Sequence, residues 1–170
     1  PERVLAESGI IPKHEGTQFT TLAQADKLQE QTLPLISANK QALQEAQLST
    51  APIPVGDFES RAIARARTPE NIAGGAADDL EKGIRARFES YRNNYGQSIP
   101  LTTVDDIKTA SWRKTGFSLT KEDKLAGDID YIVAKSAQEL IEETAAKAGA
   151  VDVAQLNREI GDVLEAVKFL

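Results

Sequence analysis

Residues 120–170 read TKEDKLAGDIDYIVAKSAQELIEETAAKAGAVDVAQLNREIGDVLEAVKFL, and this segment decides the fold. Leu125, Ile129, Ile132, Ser136, Leu140 and Thr144 recur at three- and four-residue steps, the spacing that sets side chains along one face of an α-helix. Thr120 can accept a hydrogen bond from a free N–H of the first turn, and Glu122 and Asp123 sit at the positive end of the helix dipole. Gly149 is a natural left-handed stop. Asp152 then opens a second helix with Gln155 three residues on, as in a capping box. Val153, Leu156, Ile160, Val163, Leu164 and Val167 form its apolar stripe. So short a connection makes the two helices antiparallel neighbours. The expectation is a long helical hairpin, the most stable unit of the protein, burying Leu125, Ile132, Leu140, Leu156, Ile160 and Leu164 together.

The rest of the composition agrees with helices. Among 170 residues only five Phe, three Tyr and one Trp are aromatic. Ala, Leu, Gln, Glu and Lys dominate, all good helix formers. The reading is an all-α protein, a multi-helix bundle of about six or seven helices packed through Ala and Leu. A net charge of -6 argues against a general phosphate-binding surface. No run of apolar residues approaches the length of a membrane span. The absence of cysteine excludes disulfides, thiolate catalysis and Cys-based zinc sites. Methionine is absent as well, and the chain begins at Pro1, which is expected of a piece of a longer or processed polypeptide.

Upstream of the hairpin the chain punctuates itself. Pro1–Ser8 reads as a helix end stopped by Gly9, and residues 10–19 as a connector. Thr20 or Thr21 opens a long helix to about Leu48, with Leu22, Ala25, Leu28, Leu35, Ala38, Ala42 and Ala46 inward. Pro34 either kinks this helix or divides it. Pro52 and Pro54 make an extended hinge, so residues 1–51 are taken as N-terminal helices and 52–170 as the helical core, within what length alone reads as one domain. Asp57 is expected to cap a short helix with Phe58, Ala62, Ile63 and Ala66 inward. Thr68-Pro69-Glu70 places cap, first-turn proline and acid in their preferred order for a restart. The following helix carries Ile72, Ala76, Leu80, Ile84, Phe88, Tyr91 and Tyr95 on one face, weakened early by Gly74-Gly75. Thr102 or Thr103 caps the next, with Val104, Ile107, Ser111 and Trp112 inward. No alternation lasts long enough to predict a sheet.

Candidate chemistry is sparse. The single histidine, His14, lies in a connector without an identifiable partner, so it defines no site. The acid pairs Asp105-Asp106 and Glu122-Asp123 belong to first helical turns, while Asp78-Asp79 and Glu142-Glu143 suit solvated helix faces. Asp128-Ile129-Asp130 lacks the glycine and terminal glutamate of a calcium loop. Gly74-Gly75 lacks the following lysine of a phosphate loop. No catalytic residue, cofactor or metal is therefore assigned, and the protein is expected not to be an enzyme. The rival is a hydrolase built on two carboxylates across a cleft, which needs neither Cys nor His. Two basic clusters are the candidate interaction surface: Arg61, Arg65 and Arg67, with Arg85, Arg87 and Arg92 nearby in sequence, and Trp112-Arg113-Lys114. A solvated helix face is their ordinary role; the functional alternative is contact with nucleic acid or with a carboxylate-bearing partner. Residues 51–100 carry as many acidic as basic side chains, so any positive patch there is local.

Leu101-Thr-Thr-Val-Asp-Asp-Ile-Lys108, the Ala134–Glu143 stretch, Leu156-Asn-Arg-Glu-Ile-Gly161 and Glu165–Leu170 together resemble helical segments of large bacteriophage and prophage virion-associated proteins. The resemblance implies a structural or ejected component of a phage particle and carries over no active-site residue. The expected function is a non-catalytic structural or protein–protein interaction module in a virion, with other virion chains or copies of itself as partners. Outside a particle the expected location is the cytoplasm. The alternative is a nucleic-acid-binding helical module using Arg61, Arg65 and Arg67 with Trp112, Arg113 and Lys114.

Overall fold

The computed structural model describes residues 21–115, 121–150 and 152–169. The expectations for Pro1–Ser8, Gly9, His14, Thr20 and Thr120, and for the side chains of Leu22, Ala25, Leu28, Glu122, Asp123, Leu164 and Val167, lie outside the described residues or side chains. Within them the protein is all-α. Seven helices follow one another: α1 (Thr21–Gln47), α2 (Val55–Ala66), α3 (Pro69–Ala73), α4 (Ala77–Tyr95), α5 (Leu101–Lys114), α6 (Lys121–Lys147) and α7 (Asp152–Phe169). Two short strands, β1 (Ile53–Pro54) and β2 (Ser98–Ile99), pair antiparallel with Ile53 opposite Ile99. Gln44–Gly149 is one compact unit, and α1 up to Leu43 belongs with α7 to a second.

α1 runs unbroken through Pro34, although the ring removes one backbone bond from the ladder. Its last turn is closed by side chains. The Ser49 and Thr50 hydroxyls donate to the Ala46 carbonyl at 3.2 and 3.1 Å, adding to the bond it accepts from the Ser49 amide at 3.1 Å, so one of the acceptors at the helix end is well satisfied.

The strand pair was not predicted, and it explains how two helices begin. Ile53-Pro54-Val55 and Ile99-Pro100-Leu101 repeat one pattern: a buried isoleucine, an exposed proline at the N-cap, and a buried aliphatic opening the helix. Proline suits the junction because its φ is already that of the chain entering a first turn. α2 thus starts at Val55 rather than after Asp57, and α5 at Leu101 rather than after Thr102 or Thr103. Neither N-cap proline offers a side-chain cap. For α5 the cap comes from α1: Gln47 Oε1 accepts from the Thr102 amide at 3.0 Å and its hydroxyl at 2.8 Å.

Thr68 caps α3 as its sequence predicts, accepting from the Asn71 amide at 3.2 Å with Pro69 in the first turn. The helix does not continue to Tyr95, however. Gly75 takes a φ of 77°, a conformation open to glycine without penalty, and α4 begins afresh at Ala77. Ile72 is therefore off the α4 stripe and 56% exposed, while Leu80, Ile84 and Phe88 are buried as the periodicity requires. The restart also moves Asp78-Asp79 from a predicted mid-helix face to the first turn of α4.

α6 is the centre of its unit. It packs against α5, α2 and α4, and its buried surface is wider than one stripe. Ile129, Ile132, Ser136 and Leu140 are buried as predicted, and Val133, Ala134, Ala137, Ile141 and Ala145 are buried beside them. A helix enclosed on several sides shows apolar residues at more than one phase, which a single-stripe reading underestimates. Gly83 marks a close approach of α4 to this face: a Cβ there would overlap Ile129 Cδ1. Phe58 and Phe88 are fully buried, edge to face with ring centroids 4.7 Å apart, and Tyr91 extends the stack at 5.1 Å. In the second unit Val153 and Val163 are buried, whereas Leu156 and Ile160 are only half-buried. Gly149, at a φ of 82°, ends α6 in the manner its sequence predicts.

Candidate functional site

The arginines of the first basic cluster lie on and just beyond α2, and all are spent on carboxylates of neighbouring helices. Arg61 makes a two-pronged contact with Glu143 of α6, at 2.9 and 2.6 Å, and lies 3.7 Å from Glu139. Arg65 pairs with Glu139. Arg67, the residue just after α2, reaches Asp78 at 2.7 Å and Glu81 at 2.9 Å on α4. The geometry suits a planar guanidinium, which can donate along two parallel directions at once. These bonds hold the Glu143 and Glu81 carboxyls below the ordinary carboxylate value, chiefly through the hydrogen bonds from Arg61 and Arg67 respectively.

The arginines of α4 follow the same rule. Arg92 brackets Glu59 of α2 with both terminal nitrogens at 3.1 Å. Glu59 is 9% exposed, so the pairing accounts for a carboxylate that burial alone would disfavour. Arg85 lies 3.3 Å from Glu81 and 3.9 Å from Glu59. Arg87 donates to Asp130 of α6 at 2.6 Å, beside the Tyr91 hydroxyl. Burial pushes the Tyr91 hydroxyl above its ordinary value. Asp130, the second acid of the Asp128-Ile129-Asp130 motif, is thus a partner in an interhelical bridge, and Ile129 is core.

The second cluster divides. Trp112 is half-buried and meets Tyr131 of α6 edge to face at 5.6 Å, with Lys135 Nζ 5.6 Å from the indole centroid and 6.0 Å from that of Tyr131. Arg113 and Lys114 are exposed and have no carboxylate partner among the described residues. α6 carries the residues that meet both clusters, at four-residue steps: Tyr131 and Lys135 for Trp112, Glu139 and Glu143 for Arg61 and Arg65. Tyr131 and Lys135 were not singled out from sequence. Their signal was an aromatic and a cation four residues apart on a helix that reads as core.

Among the described residues no group of three or more His, Asp or Glu is placed to hold a metal ion, and no helix is long and apolar enough to cross a membrane. The class that fold and site define is an all-helical protein whose helices are cross-linked by arginine–carboxylate pairs around α6. No protein-family model, curated protein or solved structure matches the chain.

Proposed function

We propose that this chain is a non-catalytic helical module that acts by surface contact with other protein chains, as a structural component of a bacteriophage particle. The observation that carries the reading is the use of its basic side chains. Arg61, Arg65, Arg67, Arg87 and Arg92, the candidates for a phosphate-binding face, engage carboxylates between helices. A guanidinium already held by a carboxylate brings no net positive charge to a phosphate, so the nucleic-acid alternative loses its main contacts. Meanwhile Leu48, Ile72, Tyr95 and Tyr131 stand 90%, 56%, 51% and 46% exposed. Tyrosine at a surface supplies large, semi-rigid contact area, the kind that protein interfaces favour. Glu81 and Glu143, paired with Arg67 and Arg61, are held below the ordinary carboxylate value, the opposite of the shift that a carboxylate acting as general acid needs. The particle itself rests on the resemblance of residues 101–170 to virion-associated helices. Mass spectrometry of native material tests the proposal. The expected result is recovery of the chain within particles at constant ratio to other structural proteins. Recovery only as a free chain, with no particle or partner, overturns it.

A further inference from the structure

We infer that the Trp112–Tyr131–Lys135 cluster, with Arg113 and Lys114 beside it, is a docking point for an acidic segment of a partner protein. The inference rests on the interaction-module reading above and names the site and the chemistry it recognises.

The argument starts from Lys135. On a helix its natural partner is the carboxylate four residues on, Glu139. That carboxylate is drawn away by Arg65 and Arg61 of α2. Lys135 rests instead against two rings, 5.6 Å from the Trp112 centroid and 6.0 Å from that of Tyr131. An aromatic ring attracts a cation without neutralising it, so the ammonium keeps its charge and its donors. Arg113 and Lys114 add two exposed cations at the end of α5, again without a carboxylate among the described residues. Positive charge without a carboxylate among the described residues therefore gathers at this end of α5, in a chain of net charge -6 whose α2 and α4 arginines, with Arg67 between them, are held by carboxylates.

The rings decide between acidic ligands. Single-stranded nucleic acid binds through open ring faces on which bases stack. Here the edge of one ring meets the other at an interplanar angle of 83°, and the lysine lies over both. A carboxylate needs no free face. It can accept from Lys135, Arg113 or Lys114 while an adjacent apolar side chain lies against the exposed part of Tyr131.

Trp112 is the only tryptophan of the protein, so its fluorescence reports on the cluster directly. The probe is a short synthetic peptide of alternating Glu and Leu, titrated into the full chain. Saturable change in emission is expected, weakened about fivefold by Lys135→Gln, the scale of one exposed ion pair. The change should be abolished by Arg113→Glu with Lys114→Glu and unaltered by Lys82→Gln on α4. Far-UV dichroism confirms that each variant is folded, and the exposed Arg113/Lys114 pair keeps the test valid if Lys135→Gln disturbs packing. Unchanged emission, binding insensitive to these substitutions, or tighter binding of an oligothymidylate of equal charge overturns the inference. Cross-linking of native assemblies separates it from the broader proposal. Links from Lys82 but never from Lys114 or Lys135 to a partner chain overturn the docking point alone. An assembly in which this chain contacts no partner overturns the module reading too.

Discussion

Phe88 is the side chain whose loss should be felt most. It is fully buried against Phe58 and Tyr91, so Phe88→Ala is expected to cost about 3–5 kcal/mol in urea unfolding. Ile160, half-buried, should cost less when truncated to alanine, about 2 kcal/mol or below. Gly83 offers a sharper test, because two effects oppose each other. Alanine gains about 1 kcal/mol of helix propensity over glycine, but its Cβ collides with Ile129 Cδ1. In the wild-type background Gly83→Ala should therefore yield no gain. Combined with Ile129→Val, which deletes the colliding methyl, it should recover about 1 kcal/mol, a coupling that a double-mutant cycle measures. Phe88 was legible in the sequence because it repeats at helical spacing with Leu80 and Ile84. Gly83 was not, since nothing local distinguishes a glycine pressed by another helix from one on an open surface. Gln47 is a similar case: it is one of many glutamines, and only the fold brings it to the N-terminus of α5.

Between elements, the ion pairs make stability depend on pH and salt. Glu143 and Glu81 are held below the ordinary value of 4.5 by Arg61 and Arg67. A carboxylate with a depressed folded value contributes stability that is complete above its unfolded value and is lost as pH falls through its folded value. Unfolding free energy should accordingly be level from about pH 7 to about pH 5 and decline below. Arg61→Gln should flatten the part of that decline due to Glu143. The effect is small, because the Glu143 side chain is 54% exposed and solvent screens the pair. About 1 M salt should mimic the substitution. Equilibrium urea melts across this range provide the check, and a slope unchanged in Arg61→Gln would show that the pair does not couple α2 to α6. None of this pairing was readable beforehand. Arg61 and Glu143 lie 82 positions apart, and a periodic pattern reports which face a residue occupies, not which helix it meets.

At the scale of the whole molecule, helix content and most helix limits could be read from spacing, capping residues and glycines. The centrality of α6 could not, because a helix enclosed by three others resembles an ordinary amphipathic one with extra alanines. Gln44–Gly149 contains its own core, so a chain reduced to residues 44–149 should keep its helical dichroism and a cooperative melt; a non-cooperative melt would contradict that independence. The paired Ile53-Pro54 and Ile99-Pro100 segments bear on time rather than on equilibrium. They join positions 46 apart (53 to 99), a register fixed by Ile53 against Ile99 and by the Val55 amide donating to Gln97 at 2.9 Å. Closing a long loop carries an entropic cost that contacts between successive helices largely avoid. This clasp should therefore close after the barrier has been crossed, so that Ile53→Val speeds unfolding while leaving the refolding rate nearly unchanged. Stopped-flow refolding that slowed in step with the lost stability would place the clasp in the nucleus instead. Two isoleucine–proline pairs would then govern how long the protein stays folded, with little say in how quickly it gets there.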